Sequence, residues 1–256
     1  MNSPVAVRRR SVVVTGAGRG IGEATARAFA DAGYLVGAYD LEPCAWAAED
    51  SRIVTGALDV TDPEAWGSAL ADFATHSGGG LDVLVNNAGT LYGTPFLAAG
   101  FEQDSRLVDV NVKGVLYGCR AALPYLQKGD HPVVINVCSA SAIYGQAEMA
   151  TYSATKFAVR GITEALDLEW ERHGVRVTAV WPMYVGTAML EGVSTAGMRN
   201  MGVRLSESDV APEILRVAER VRARPTGILG RVRHALTDGV HTPIGAQATA
   251  MYLASQ

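Results

Sequence analysis

The sequence predicts a doubly wound α/β fold, a mostly parallel sheet with helices on both faces. Three observations predict it. Short β-branched runs alternate with helical segments along most of the chain, and those runs are apolar throughout instead of at every second position. The first run also ends in glycines that open directly into a helical pattern. Strands buried on both faces leave continuous apolar runs, and parallel strands need helical crossovers between them.

The elements follow in order. "SVVVTG" (Ser11–Gly16) is the first strand, and the helix "RGIGEATARAFADAG" stops at Gly33, a C-terminal cap. Strands over Tyr34–Asp40 and Arg52–Val60 come next. "TDPEAWGSALADFATH" opens as a capped helix, with Asp62 before Pro63 in its first turn. Leu81–Gly89 is a buried strand running into a turn, and a long helix covers about Glu102 to Leu126. After the strand Val133–Cys138, a helix from "MATYSATKFAVRG" runs to near His173, and Val175–Trp181 is the next strand. No linker, repeat or low-complexity segment interrupts this order, so residues 1–256 are expected to form one domain.

Composition excludes several functions. The chain has 256 residues, 48% hydrophobic and 19% charged, with a net charge of −4. That balance gives no basic field for nucleic acid, and the run Arg8–Arg9–Arg10 reads as a solvated flank before the first strand. No apolar run approaches the roughly 20 residues of a membrane span. The start "MNSPVAV" lacks the apolar core of an export signal. Cys44, Cys119 and Cys138 have no CxxC spacing, and the five histidines form no HExxH pattern. Scattered thiols in odd number fit a reducing cytoplasm and argue against disulfides or a metal site.

Two constellations carry chemistry. "TGAGRGIG" (Thr15–Gly22) lies where the first strand hands over to the first helix, where backbone N–H groups and the helix dipole hold a pyrophosphate. Gly16 permits the tight turn, Gly20 the approach of the ligand, and Gly22 close helix–sheet packing; Arg19 and Ile21 belong to the same turn. Asp40 ends the second strand, 24 residues after Gly16. A carboxylate there accepts hydrogen bonds from ribose hydroxyls and repels a 2′-phosphate, which predicts NAD over NADP, with Arg19 as the opposing influence; a strand-end Asp that only caps a turn is the other reading. The second constellation is Tyr152 and Lys156, four residues apart and so on one face of a helix. A phenol ionises near pH ~10, and a neighbouring positive charge favours its anion. The pair reads as an acid–base device or as surface decoration; spacing alone leaves both open.

From Ser11 to Met189 the chain resembles the short-chain dehydrogenase/reductase family, through "TGAGRGIG", "LDVTD", "NNAG", "NVKG", "NVCSAS", "YSATK" and "PMYVGT" in that order. The resemblance implies a Rossmann-type fold and an NAD(P)-dependent oxidoreductase acting on CH–OH groups. It makes Tyr152 and Lys156 catalytic, and pairs them with Ser139, thirteen residues upstream of Tyr152, in preference to its neighbour Ser141. Asn111 of "NVKG" completes the set and would hold a water linking Lys156 to solvent. The resemblance also puts Asp59 and Val60 at the adenine, Asn87, Ala88 and Gly89 along the adenosine ribose, and Pro182, Val185 and Thr187 near the nicotinamide. Tyr152 and Lys156 would contact the cofactor as well, Lys156 through the nicotinamide ribose.

Cys138 and Met183 depart from the family pattern, and the short interval from Asp40 to Asp59 must trim the intervening helix. The substrate loop falls at about residues 188–209, either a mobile lid or a helix pair packed on the core. Tyr144 and Gln146 are expected to line the substrate pocket. The tail "HTPIGAQATAMYL" is similar to endings of family members acting on lipophilic alcohols. The expected substrate is a hydrophobic secondary alcohol or ketone, used with NAD(H). Two alternatives stand beside it: an NADPH-dependent reductase of 3-oxoacyl thioesters, and a non-catalytic dinucleotide sensor. The family resemblance implies that small and apolar outer residues such as Ala121 and Ala165 form a homodimer or homotetramer interface; packing against the core of the same chain is the other reading.

Overall fold

Alternate residues of the first strand feed two separate cores. The computed structural model describes residues 8–222 and 240–255, so Met1–Val7, read above for an export signal, lies outside the described residues. In β1 (Ser11–Thr15), Val12 and Val14 pack on one face of the sheet and Val13 on the other, and all three are fully buried. On the first face lie α1 (Gly20–Asp31), through Ala26 and Phe29, and α7 (Glu207–Arg222), through Ile214 and Val217. On the second lie α2 (Pro63–Ser77), α4 (Gly114–Leu126) and α5 (Ala150–Glu169), bringing Trp66, Phe73, Leu126 and Val159 against the strands. Each large side chain buried this way contributes about 2 kcal/mol of transfer free energy.

The remaining strands are β2 (Leu35–Asp40), β3 (Ile53–Ala57), β4 (Val83–Asn86), β5 (Val133–Val137), β6 (Arg176–Pro182) and β7 (His241–Ile244). Among the described residues these seven form one sheet in the order β3-β2-β1-β4-β5-β6-β7, every pair parallel. The order reverses between β1 and β4. In a doubly wound sheet, that switch point opens a crevice at the C-terminal ends of the strands.

The expected strands are present, each trimmed by up to three residues at an end, and β7 is added to them. Asp62 caps α2 by accepting from the Glu64 amide at 2.8 Å, and Gly78 closes the helix in the left-handed region. Only a single turn of 3₁₀ helix (Ala45–Ala47) fills the short β2–β3 connection. The long helix is interrupted: α3 (Phe101–Val108) passes through a π turn at Asp109–Lys113 before continuing as α4. The arginine run is a solvated flank at Arg9 and Arg10, but each of its three residues has a fixed partner. Arg8 pairs with the fully buried carboxylate of Asp82, Arg9 donates to the Gly33 carbonyl at 3.0 Å, and Arg10 meets Glu219 at 2.7 Å. Asp82 also accepts from the backbone amides of Ser11 (2.7 Å) and Asp130 (2.6 Å), so Arg8 neutralises a charge that burial would otherwise disfavour.

Candidate active site

The turn after β1 is shaped for close approach. Gly16 and Gly20 take φ values of +64° and +61°, which L side chains rarely adopt. A Cβ on Gly22 would lie 1.9 Å from the Gly16 carbonyl oxygen, so α1 reaches the turn only because that residue has no side chain. Asp40 closes the turn from β2: its Oδ2 accepts from the Gly18 amide at 2.8 Å and its Oδ1 from the Leu41 amide at 2.7 Å. From the shortened β2–β3 connection, the Trp46 indole donates to the Ala17 carbonyl at 2.9 Å, with the Arg27 guanidinium over its ring. Asn87, after β4, donates to the carbonyls of Thr15 (2.9 Å) and Gly16 (3.1 Å), which binds the two sides of the switch point together.

Between these elements runs a groove of about 390 Å³ lined by Gly16, Arg19, Gly20, Ile21, Gly22, Asp40, Asp59, Val60, Asn87, Ala88, Gly89 and Thr187. It fits a dinucleotide. The glycine cradle and the first-turn N–H groups of α1, which have no intrahelical acceptors, suit a pyrophosphate, and Asp40 and Asp59 present carboxylates along the wall. Asp59 Oδ1 accepts from Thr61, leaving its other oxygen toward solvent on an exposed residue. Leu41, Thr90, Leu91, Arg106 and Val110 line the groove too. Sequence reasoning missed them; Arg106 in particular reads as an ordinary exposed helix residue.

A smaller pocket of about 90 Å³ adjoins the groove, sharing Ile21, Asn87, Gly89 and Thr187 as lining. It holds Ser139, Tyr152 and Lys156 together with Pro182 and Val185. Ser139 follows β5, where its Oγ accepts from the Ser141 amide and donates to Ser141 Oγ, both at 3.1 Å. Ser141 lines the same pocket but is buried, whereas Ser139 is half-buried, so the two serines differ in exposure. Lys156 is buried, its Nζ 3.1 Å from the Val137 carbonyl and 5.5 Å from the centre of the Tyr152 ring. Cys138, between Val137 and Ser139, lies under the Lys156 carbonyl, and burial pushes its thiol up to about 11.

Asn111 lines neither cavity. It sits buried in the π turn, where its amide exchanges hydrogen bonds with the Thr90 backbone (2.8 and 2.9 Å) and donates to Thr155 Oγ1 at 3.2 Å. Single π turns inside α-helices often occur at functional sites.

Thr90 and Ser141 add hydroxyls, and the rest of the wall is mostly apolar: Leu91, Met149, Met183, Met189 and Leu190, with Tyr184. Met149, just before the start of α5, was not among the residues expected to line the pocket. Tyr144 and Gln146 are not part of this wall. Tyr144 turns toward Met201 Sδ at 3.8 Å, and the buried Gln146 accepts from Tyr184 OH at 2.7 Å, so Tyr184 lines the pocket and Gln146 supports it. The segment after Thr187 is packed, but as one short helix rather than a pair: α6 (Ala196–Met201) contributes Met198 and Met201 to a cluster with Ala140, Met183, Tyr184 and Ala248, the last from α8 (Ala246–Ala254).

The family model "short chain dehydrogenase" matches residues 10–197. The chain belongs to the short-chain dehydrogenase family. It is an oxidoreductase acting on CH–OH groups, in a family that binds NAD(P). Among similar curated proteins, a 3-alpha-(or 20-beta)-hydroxysteroid dehydrogenase of Mycobacterium tuberculosis is 37% identical over 187 residues, 71% of each chain. A short-chain dehydrogenase from Burkholderia cenocepacia, in complex with NADP, superposes with a TM-score of 0.76 at 26% identity, covering 95% of this chain and 91% of its own. A 3-ketoacyl-(acyl-carrier-protein) reductase from Brucella melitensis, complexed with NADH, gives 0.75 at 28% identity over 84% of this chain and 93% of its own.

Proposed function

We propose that this short-chain dehydrogenase transfers a hydride between NAD(H) and an uncharged, lipophilic secondary alcohol or ketone. The observation that carries the reading is that Ser139, Tyr152 and Lys156 line one largely apolar pocket adjoining the glycine-rich groove. Pocket residues other than Lys156 are uncharged, which supports a neutral substrate. The steroid-acting relative supports a lipophilic one.

The residues divide the work. Gly16, Gly20, Ile21 and Gly22 hold the pyrophosphate with Arg19 beside it, and Asp40 holds the adenosine ribose. Asp59 and Val60 flank the adenine, Asn87, Ala88 and Gly89 follow the ribose, and Pro182, Val185 and Thr187 bound the nicotinamide. The nicotinamide supplies a hydride acceptor or donor. Tyr152 takes the alcohol proton as general base, or returns it during reduction. Lys156 favours negative charge on the Tyr152 oxygen and holds the nicotinamide ribose. Ser139 turns its hydroxyl from Ser141 to the substrate oxygen, where charge develops. Asn111, clamped between Thr90 and Thr155, holds the π turn at which a water relays protons from Lys156 to solvent.

Exposed apolar residues on the outer helices, Leu116 of α4 with Phe157 and Leu168 of α5, support a homo-oligomer, which size-exclusion chromatography tests. Three free, buried cysteines support a reducing, cytoplasmic setting. Arg19, exposed on the groove wall, favours a second reading, NADPH-dependent reduction of 3-oxoacyl thioesters. Fluorescence titration with NADH and with NADPH separates the two. Tighter NADH binding supports the first, NADPH preference transfers the lead to the second, and binding of neither refutes both.

A further inference from the structure

Glu148 is the residue where three segments around the pocket meet. Its backbone is in the left-handed region, φ +65°, a conformation that strains a non-glycine residue. The residue lies just before the start of α5, four residues ahead of Tyr152 in sequence. Its carbonyl accepts from the Thr94 amide at 2.8 Å, fixing the loop that follows Leu91. Its carboxylate reaches the segment that follows the pocket wall, where Oε2 accepts from the Ala196 amide at 2.7 Å and lies 3.9 Å from the Arg199 guanidinium. The side chain is 30% exposed, so a bond to one amide and one cation is not compelled by burial.

Two glycines shape the surfaces on which the same segment rests. A Cβ on Gly197 would lie 2.3 Å from Tyr184 OH, and one on Gly93 would lie 2.5 Å from Val193 Cγ1. Helix α6 therefore sits flush against the tyrosine that lines the pocket, and the chain before it sits flush against the 90s loop. Thr195, fully buried, caps α6 by accepting from the Met198 amide at 3.3 Å. Upstream of this anchorage, Met189 and Leu190 form part of the pocket wall.

We infer that Glu148 is a positioning residue that latches the segment Val193–Met201, just beyond the pocket wall at Met189 and Leu190, through its bond to the Ala196 amide. The latch couples the apolar wall at Met189 and Leu190 to the helix start that carries Tyr152. The inference rests on the reading of this pocket as the alcohol or ketone site.

The test is hydrogen–deuterium exchange across residues 194–201 in the wild type, Glu148→Gly and Glu148→Gln. Glycine relieves the backbone strain, so Glu148→Gly removes the latch while favouring the local fold. Exchange at residues 196–201 is expected to rise about tenfold or more in Glu148→Gly, and to stay near wild type in Glu148→Gln, which keeps an acceptor for Ala196. With cyclohexanol, 2-octanol or a hydroxysteroid, whichever the wild type oxidises, KM should rise about tenfold in Glu148→Gly while kcat falls less than threefold. Unchanged exchange in Glu148→Gly, equal loss of protection in both variants, or a fall in kcat at constant KM overturns the inference. A wild type that oxidises none of the alcohols refutes the substrate reading, and the exchange measurement still decides the latch.

Discussion

The Lys156 ammonium donates to the Val137 carbonyl across 3.1 Å, while the Cys138 thiol meets the Lys156 carbonyl at 3.2 Å. The two contacts join the end of β5 to the first turns of α5 in both directions. They fix the relation between Ser139, just beyond the strand, and Tyr152, one turn before Lys156. The lysine is thus both a charge beside the phenol and a strut between the two elements that carry the reacting groups.

Lys156→Met removes both roles with little change in volume. Turnover should fall by about a thousandfold, and NADH binding should weaken as the ribose contact is lost. Retention of more than a tenth of wild-type kcat would exclude Lys156 from the acid–base work.

The thiols should be inert in the folded protein. Burial pushes Cys119 up to about 12 and Cys138 up to about 11, and raises Cys44 as well. The thiolate is the reactive form, so each raised value lowers reactivity at pH 8. Mass spectrometry after iodoacetamide treatment at pH 8 should find all three unmodified until denaturant is added. Rapid labelling of Cys138 in native protein would contradict the close contact with Lys156.

Asp40→Asn tests the cofactor preference at modest cost to the glycine turn: its amide oxygen still accepts from either Gly18 or Leu41, and the other amide loses its acceptor. Loss of the charge removes the repulsion toward a 2′-phosphate. The ratio of NADPH to NADH affinity should rise about tenfold, read from paired fluorescence titrations. An unchanged ratio would mean that Asp40 only closes the turn.

His241 predicts how stability depends on pH. It is buried in β7, its ring 4.3 Å from that of Trp181, with Nε2 2.8 Å from Glu164 Oε1, while Nδ1 has no partner among the described residues. Desolvation lowers its pKa below the ordinary imidazole value, outweighing the opposing bond to Glu164. The unfolded chain therefore binds the extra proton first, and stability present above about pH 6.5 is lost as pH falls through and below that value. Urea midpoints should drop between pH 7.5 and pH 5.5, and His241→Gln should flatten the drop. Equal slopes for both proteins would contradict it.

What the sequence made legible follows from how local each signal is. The strands were readable because burial on both faces leaves unbroken runs such as Val12–Val14, and the glycine turn because its backbone at Gly16 and Gly20 tolerates little else. Asp62 before Pro63 marked a helix start for the same local reason. β7 was missed as a strand because Pro243 and His241 are poor strand residues, and an edge position is what lets the proline stand there. The π turn at Asn111 inserts a residue that no local sequence signal marks, so it was read as continuous helix. Arg8 found its partner 74 residues away in Asp82, a distance over which no local pattern speaks. Gln146 was assigned to the pocket wall on nearness in sequence to Ser139, but only the fold shows it turned behind Tyr184.

The most direct test of the account is NADH formation from a panel of uncharged secondary alcohols by the wild type and by Tyr152→Phe, each first shown to bind NADH. The account predicts turnover of at least one lipophilic alcohol by the wild type and a rate at least a hundredfold lower for the variant at equal NADH affinity. Equal turnover by the two proteins would contradict it.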